Sequence, residues 1–343
     1  MGLPEIFISF ETAAVSAIQR SSRGVVCLLL DDGTAGGAAV AVYEALSEVP
    51  EALFTAENYR TIALAFRAAP RKVIVVRADE NSAAMLENLS FDWLAAPCME
   101  AEELVEAIRT YRSQGRSVKA VVANADMPDC EGIVNLCADD LVLEDGTVTT
   151  EAYTARIAGL LAALPLTHSA TYAALPEVVS CGGYEDPDAA VKAGKLIIVG
   201  GSSGYRLGRA VTSLTTLTAE KGAPFQKIKI LEGIDLIRSD IARAFESGYV
   251  GKVPNDYDSK LLLVTAINGY LSGLVGDVLD KAAENRCFVS LKGQKEWLQS
   301  QGIDTAEMTD AAILRANTGS QVFLEASLTF CDAMEDLYLV ISM

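Results

Sequence analysis

The sequence predicts an α/β chain of more than one domain, on three observations. Short apolar strands alternate with helices up to about residue 222, the last third is rich in helices, and an apolar strand stands near either end. The first of these strands covers residues 5–10, with Ile6, Ile8 and Phe10 on one face. Residues 12–23 separate it from the first core strand at 24–30, and an apolar strand so detached needs a partner edge in its own chain or in another.

Further strands are expected at 72–76, 91–95, 118–123, 133–136, 169–175 and 195–199. Helices are expected between them at 56–68, 100–114, 151–164 and 187–193; the 100–114 helix opens on acidic residues, as the helix dipole favours. In the last third, Ile230, Ile234, Ile237, Ile241 and Phe245 form one face of a long helix over 225–247. Asn255 and Asp258 are candidate caps for a second helix reaching about residue 283, with Val264, Ile267, Leu271, Leu274 and Val278 on its apolar face. Shorter helices are expected at 294–301 and 309–316. Residues 321–330 alternate as a strand, and a last one, with Leu337, Leu339 and Ile341 on one face, follows Asp336.

Composition narrows the function. Half of the 343 residues are hydrophobic and 22% are charged, which suits a packed protein and excludes a disordered one. No apolar run approaches the ~20 residues of a membrane span, and the N-terminus lacks the pattern of a secretion signal, so a chain made and kept in the cytoplasm, without a membrane anchor, is expected unless a larger machine carries it out. A formal charge of −18 argues against nucleic-acid binding. The seven cysteines are scattered and never spaced as CxxC, and with a single histidine they supply neither a disulfide framework nor a metal site.

Catalytic patterns are also missing. His168 has no GxSxG serine elbow to serve. The glycine-rich stretch Gly200 to Gly208 follows a strand, but it lacks both the Lys-Ser/Thr of a phosphate loop and the spacing of a dinucleotide fingerprint. A hairpin turn is the better reading; an α/β enzyme binding a small ligand there is the alternative. No catalytic residue, cofactor or metal ligand is assigned.

The residues do resemble a known family, the contractile tail sheaths, and most of all the short sheaths of phages and tail-like bacteriocins of Gram-positive bacteria. The resemblance is carried by Gly2 to Phe10, Arg20 to Gly24, Arg156 to Leu160, Pro165 to Tyr172, and above all Arg209 to Lys252. Asn317-Thr318-Gly319-Ser320 and Asp332-Ala333-Met334-Glu335-Asp336 add to it. One departure is Thr212, where related sheaths carry Asn.

The resemblance implies a multi-domain tail sheath fold: an N-terminal arm (1–22), an N-terminal α/β domain (23–90), a subtilisin-like middle domain (91–222), a helix-rich inner domain (223–331) and a C-terminal strand arm (332–343). It also implies a homopolymer of stacked hexameric rings around an inner tube, with baseplate and tail terminator proteins as further partners, in the tail of a virion or phage-tail-like particle. The terminal strands would complete sheets in neighbouring subunits. Asp310 and Arg315, on the 309–316 helix, are the candidate tube contact.

Overall fold

The computed structural model describes residues 18–343, so Ile6, Ile8 and Phe10 lie outside the described residues. The described residues divide into two compact units, residues 21–239 with 332–343, and residues 18–20 with 240–331.

The larger unit is built on one eight-stranded sheet. Its strands are β1 (Val25–Leu30), β2 (Val40–Tyr43), β3 (Lys72–Arg77), β4 (Trp93–Ala95), β5 (Lys119–Ala123) and β6 (Ile133–Cys137), followed, after a small three-stranded sheet of β7 (Val142–Leu143), β8 (Gly146–Thr147) and β9 (Val178–Ser180), by β10 (Lys195–Gly201) and β11 (Gly204–Leu207). The order is β11-β10-β6-β5-β4-β1-β3-β2, parallel except at the two edges. The central strands read as continuous Val/Ile/Leu runs because helices cover both faces. On one face α1 (Ala56–Phe66) and α4 (Thr150–Ala163) pack over Val26, Leu28 and Trp93; on the other, α2 (Ser82–Asn88) and α3 (Ala101–Ser113) cover Cys27, Leu29 and Leu94. The short α5 (Pro187–Lys192) precedes β10. A Cβ at Gly159 of α4 would come within 2.1 Å of the Ala65 carbonyl oxygen, so only glycine lets these helices approach so closely.

This sheet corrects the expected border at residue 90. β1 pairs with β3 on one side and β4 on the other, so residues on both sides of that border share one sheet. The expected strand over 169–175 is an irregular segment instead, tied to β11 by Leu175 N–H donating to Tyr205 O and Leu207 N–H donating to Ala173 O.

α6 (Ile228–Gly248) leaves this unit through a buried ion cluster. Arg112 grips Asp235 with both guanidinium nitrogens (2.9 and 3.0 Å) and reaches Glu131 at 3.2 Å. Lys119 lies 3.2 Å from Asp235 and 3.1 Å from Glu232, while Arg23 also pairs with Glu232 and Lys221 with Glu131. Charges taken this far from water persist only when paired and hydrogen-bonded.

A second buried carboxylate, Asp32, organises the loop after β1. It accepts from Thr34 N–H (2.9 Å), Thr55 N–H (2.9 Å) and Asn58 Nδ2 (2.8 Å), with Arg77 at 3.3 Å. Burial alone would raise its pKa, but the hydrogen bonds from Asn58, Thr55 and Thr34 outweigh that and hold it well below the usual carboxylate range. A carboxyl depressed on folding contributes stability that is fully present above its unfolded pKa near ~4 and is lost as pH falls through the folded value. Asp32→Asn is therefore expected to destabilise the protein at pH 7 by about 1–3 kcal/mol and to flatten the loss of stability below pH ~4. Urea unfolding at pH 7 and pH 3 checks both, and an acid limb as steep as in the unsubstituted chain would rule Asp32 out as its source.

The smaller unit holds α7 (Tyr257–Ser272), α8 (Leu291–Ser300), α9 (Asp310–Arg315) and the antiparallel pair β12 (Arg286–Val289) and β13 (Leu324–Ser327). Asp256, not Asn255 or Asp258, caps α7 by accepting from Ser259 N–H at 2.8 Å. Asn255 instead ties the chain to Gly319 O and Gln321 O. The helix stops at Ser272 rather than near 283, because Gly273 ends it and Gly276 takes φ +98°, a conformation that favours glycine.

Candidate assembly site

The C-terminal segment is held to the rest of the larger unit by an acidic clamp, beyond which its side chains are exposed. Glu335, whose side chain is only 9% exposed, accepts from Ser169 Oγ at 2.9 Å and Thr171 Oγ1 at 2.6 Å. Thr171 is fixed in turn by Ala210 N–H, which donates to its Oγ1 at 2.9 Å. Arg209 donates to Asp336 at 2.6 Å and faces Glu335 at 3.6 Å; the hydrogen bond to Asp336 holds its guanidinium above its ordinary pKa. Lys227, one residue before α6, pairs with Asp332.

The surface that carries the clamp is strained. Tyr172 sits at φ +59°, rare for a residue with a side chain, under the Arg206 guanidinium at 4.0 Å from its ring centroid. Strain of this kind persists only where surrounding contacts over-determine the backbone, and it concentrates at working surfaces.

Beyond Asp336 the segment makes no hydrogen bond or ion pair among the described residues. Leu337, Tyr338, Leu339, Val340 and Ile341 are 72–93% exposed. None of them has a strand partner among the described residues. Five consecutive large apolar residues displayed in this way are a surface built for contact with another molecule.

The smaller unit offers an edge. β12 and β13 form a sheet of two strands, a size that is marginal by itself in water. The outer side of β12 is occupied at Cys287, whose N–H and C=O both bond the Asn268 side chain (2.7 and 3.0 Å). The outer side of β13 carries no third strand among the described residues, and Glu325, Ala326 and Ser327 are exposed there.

The other expected sites resolve simply. Gly200 to Gly208 lies in the β10–β11 hairpin, where Gly201 pairs with Gly204 and Gly204 takes φ +96°. His168 is exposed, with Nδ1 at 2.9 Å from Thr167 Oγ1. Asp310 and Arg315 are exposed at opposite ends of α9, and the Arg315 guanidinium lies 4.8 Å from the Tyr257 ring centroid. Thr212, the departure from the family pattern, is buried and donates its hydroxyl to Phe225 O at 2.9 Å.

Residues 220–343 match the family described as the phage tail sheath C-terminal domain. Over its full length the chain is 36% identical to the tail sheath protein of Clostridium phage phiCD119, covering 99% of that protein. The chain belongs to the tail sheath family. As a sheath subunit it has a structural role, and the fold agrees. The contracted helical sheath of the anti-feeding prophage superposes with a TM-score of 0.74 at 14% identity, covering 100% of this chain and 99% of that one. The sheath tail protein of Desulfitobacterium hafniense superposes with a TM-score of 0.69 at 16% identity, covering 83% of this chain and 93% of that one. What sequence reasoning missed is the clamp: Asp332 to Asp336 stood out as a motif, but nothing in it named Ser169, Thr171, Arg209 or Lys227 as partners.

Proposed function

We propose that this sheath subunit polymerises in stacked hexameric rings around an inner tube and contracts without catalysis, its subunits joined by exchanged strands. The observation that carries this reading is the exposed apolar run after a clamped, acidic anchor. Residues 337–341 of one subunit would add to the outer edge of β13 in a neighbour, which carries no third strand among the described residues; there main-chain hydrogen bonds would give affinity and alternate side chains specificity. The strand expected over residues 5–10 from the sequence, with Ile6, Ile8 and Phe10, would be exchanged in the same manner. A joint of this type survives rotation of the bodies it links, so the lattice can rearrange without dissociating.

Contraction then draws on interfaces that form as subunits repack, with no nucleotide required. Tube, baseplate and terminator proteins are the partners this role demands, and the exposed charges Asp310 and Arg315 remain the candidates for the tube-facing contact. The rival reading, an enzyme with a ligand at Gly200 to Gly208, is disfavoured by the hairpin that consumes those glycines. Electron microscopy of the concentrated full-length protein tests the proposal. Hollow cylinders of uniform width are expected, and a preparation that stays as isolated globular particles over a range of concentration and salt would overturn it.

A further inference from the structure

We infer that the loop tip Asp126–Met127 of one sheath subunit seats in the Lys260 cleft of a second copy, a contact that rests on the polymeric reading above. The tip lies between β5 and β6. Asn124, Met127 and Asp129 take φ values of +48°, +39° and +38°, three left-handed residues without a glycine among them. Such a backbone is kept only by outside constraint, and the constraint is visible. The Asn135 side chain bonds both Ala125 N–H and Ala125 O (3.0 and 2.8 Å). Asp129 accepts from Thr215 N–H and Thr216 N–H (2.7 and 2.9 Å), and Arg109 donates to Pro128 O at 2.5 Å. What this rigid frame displays is Met127, 81% exposed, beside Asp126, also exposed. Neither the Asp126 carboxylate nor the Met127 N–H has a partner among the described residues.

The cleft, in the smaller unit, has the complementary deficit. It holds about 600 Å³ between the end of α6 and the start of α7, a volume ample for a loop tip. Phe245 and Tyr249 stack on one wall with ring centroids 6.1 Å apart, and Val250, 54% exposed, stands at the rim. At the floor, Lys260 is 3% exposed and, among the described residues, its Nζ donates only to neutral oxygens, Gln294 Oε1 at 2.6 Å and Thr318 Oγ1 at 3.0 Å. The nearest carboxylate acting on it, Asp256 at the start of α7, does so only through space and forms no ion pair with it, and a buried ammonium without a direct counter-charge is costly and rare. Beside it, Asn255 Oδ1 is buried with no donor.

The tip supplies what the floor lacks. The Asp126 carboxylate neutralises Lys260, the Met127 N–H donates to Asn255 Oδ1, and the thioether packs against the aromatic wall. The occupant is a second copy because tip and cleft are different surfaces of the same chain. A head-to-tail contact of this kind repeats around a ring or along a helix instead of closing into a two-fold dimer, as a sheath requires.

The test uses sheaths grown from equal amounts of ¹⁵N-labelled and unlabelled full-length protein and treated with a carbodiimide, which joins a carboxylate to an amine only when they touch. The expected product is a mixed-isotope peptide pair linking Asp126 to Lys260. Cylinders without that pair, or with Lys260 linked to another carboxylate, overturn this contact alone; preparations without cylinders overturn it together with the sheath reading. Met127→Lys sets a second cation against Lys260 at a position exposed in the free subunit. It is expected to lower sheath yield at fixed concentration by about tenfold with no change in the unfolding midpoint. Undiminished yield overturns the contact.

Discussion

Removal of residues 337–343 is expected to abolish sheath assembly while leaving the subunit folded. Among the described residues they make no strand pair or hydrogen bond: the five from Leu337 to Ile341 are 72–93% exposed, and Met343 is fully exposed. Their loss should change the urea midpoint by no more than a surface substitution does, about 0.5 kcal/mol. In a neighbour, each large apolar side chain buried would contribute roughly 1.5–3 kcal/mol before the ordering of the segment, about 1–2 kcal/mol per residue, is subtracted. Even a small surplus matters at every joint, because each ~1.4 kcal/mol is a tenfold change in association. Sedimentation and electron microscopy read the outcome. A truncated chain that still grows cylinders would end the strand-exchange account at this terminus, and one that unfolds would show that the segment belongs to its own core.

The largest effect on folding is expected at Asp235. Asp235→Ala leaves Arg112 and Lys119, 7% and 3% exposed at their side chains, without their main counter-charge. Stranding buried charge in this way costs about 3–5 kcal/mol, a large share of the stability of an ordinary domain. The effect should reach beyond α6, since Arg112 belongs to α3 and Lys119 to β5. Replacing the cluster together, as Arg112→Met, Lys119→Met and Asp235→Leu, is expected to recover most of that loss, because no charge is then left unpaired. Urea unfolding of the single and triple variants decides it. A single variant within 1 kcal/mol of the unsubstituted chain would mean that water reaches the cluster.

The sheet was legible because its signal is local. Runs such as Val73-Ile74-Val75-Val76 announce a strand buried on both faces, and Gly204 announces the hairpin. The helix expected through residue 283 stops early for a local reason too: Val278 keeps the apolar spacing, but Gly273 and Gly276 end the helix ahead of it. The strand expected at 169–175 failed because those residues are shaped by what they hold. Ser169 and Thr171 turn their hydroxyls to Glu335, 166 and 164 positions away. Arg112 and Asp235 are 123 positions apart, and no period or motif links them. The border placed at residue 90 failed similarly, since strand order is a property of the folded sheet and no feature of β3 or β4 states that β1 lies between them.

The clamp at Glu335 and Asp336 also fixes a length. With the chain anchored at Asp336, residues 337–343 can search no farther than about 25 Å at full extension. Freed back to Cys331, the tether would have twelve residues and a reach of about 42 Å. A longer tether samples a larger volume, and its effective concentration at a fixed target falls roughly as the −3/2 power of length, a dilution of about twofold here. In the proposed sheath, a uniform tether of this kind would keep each arm committed to the nearest acceptor and make crossing to a more distant one rare.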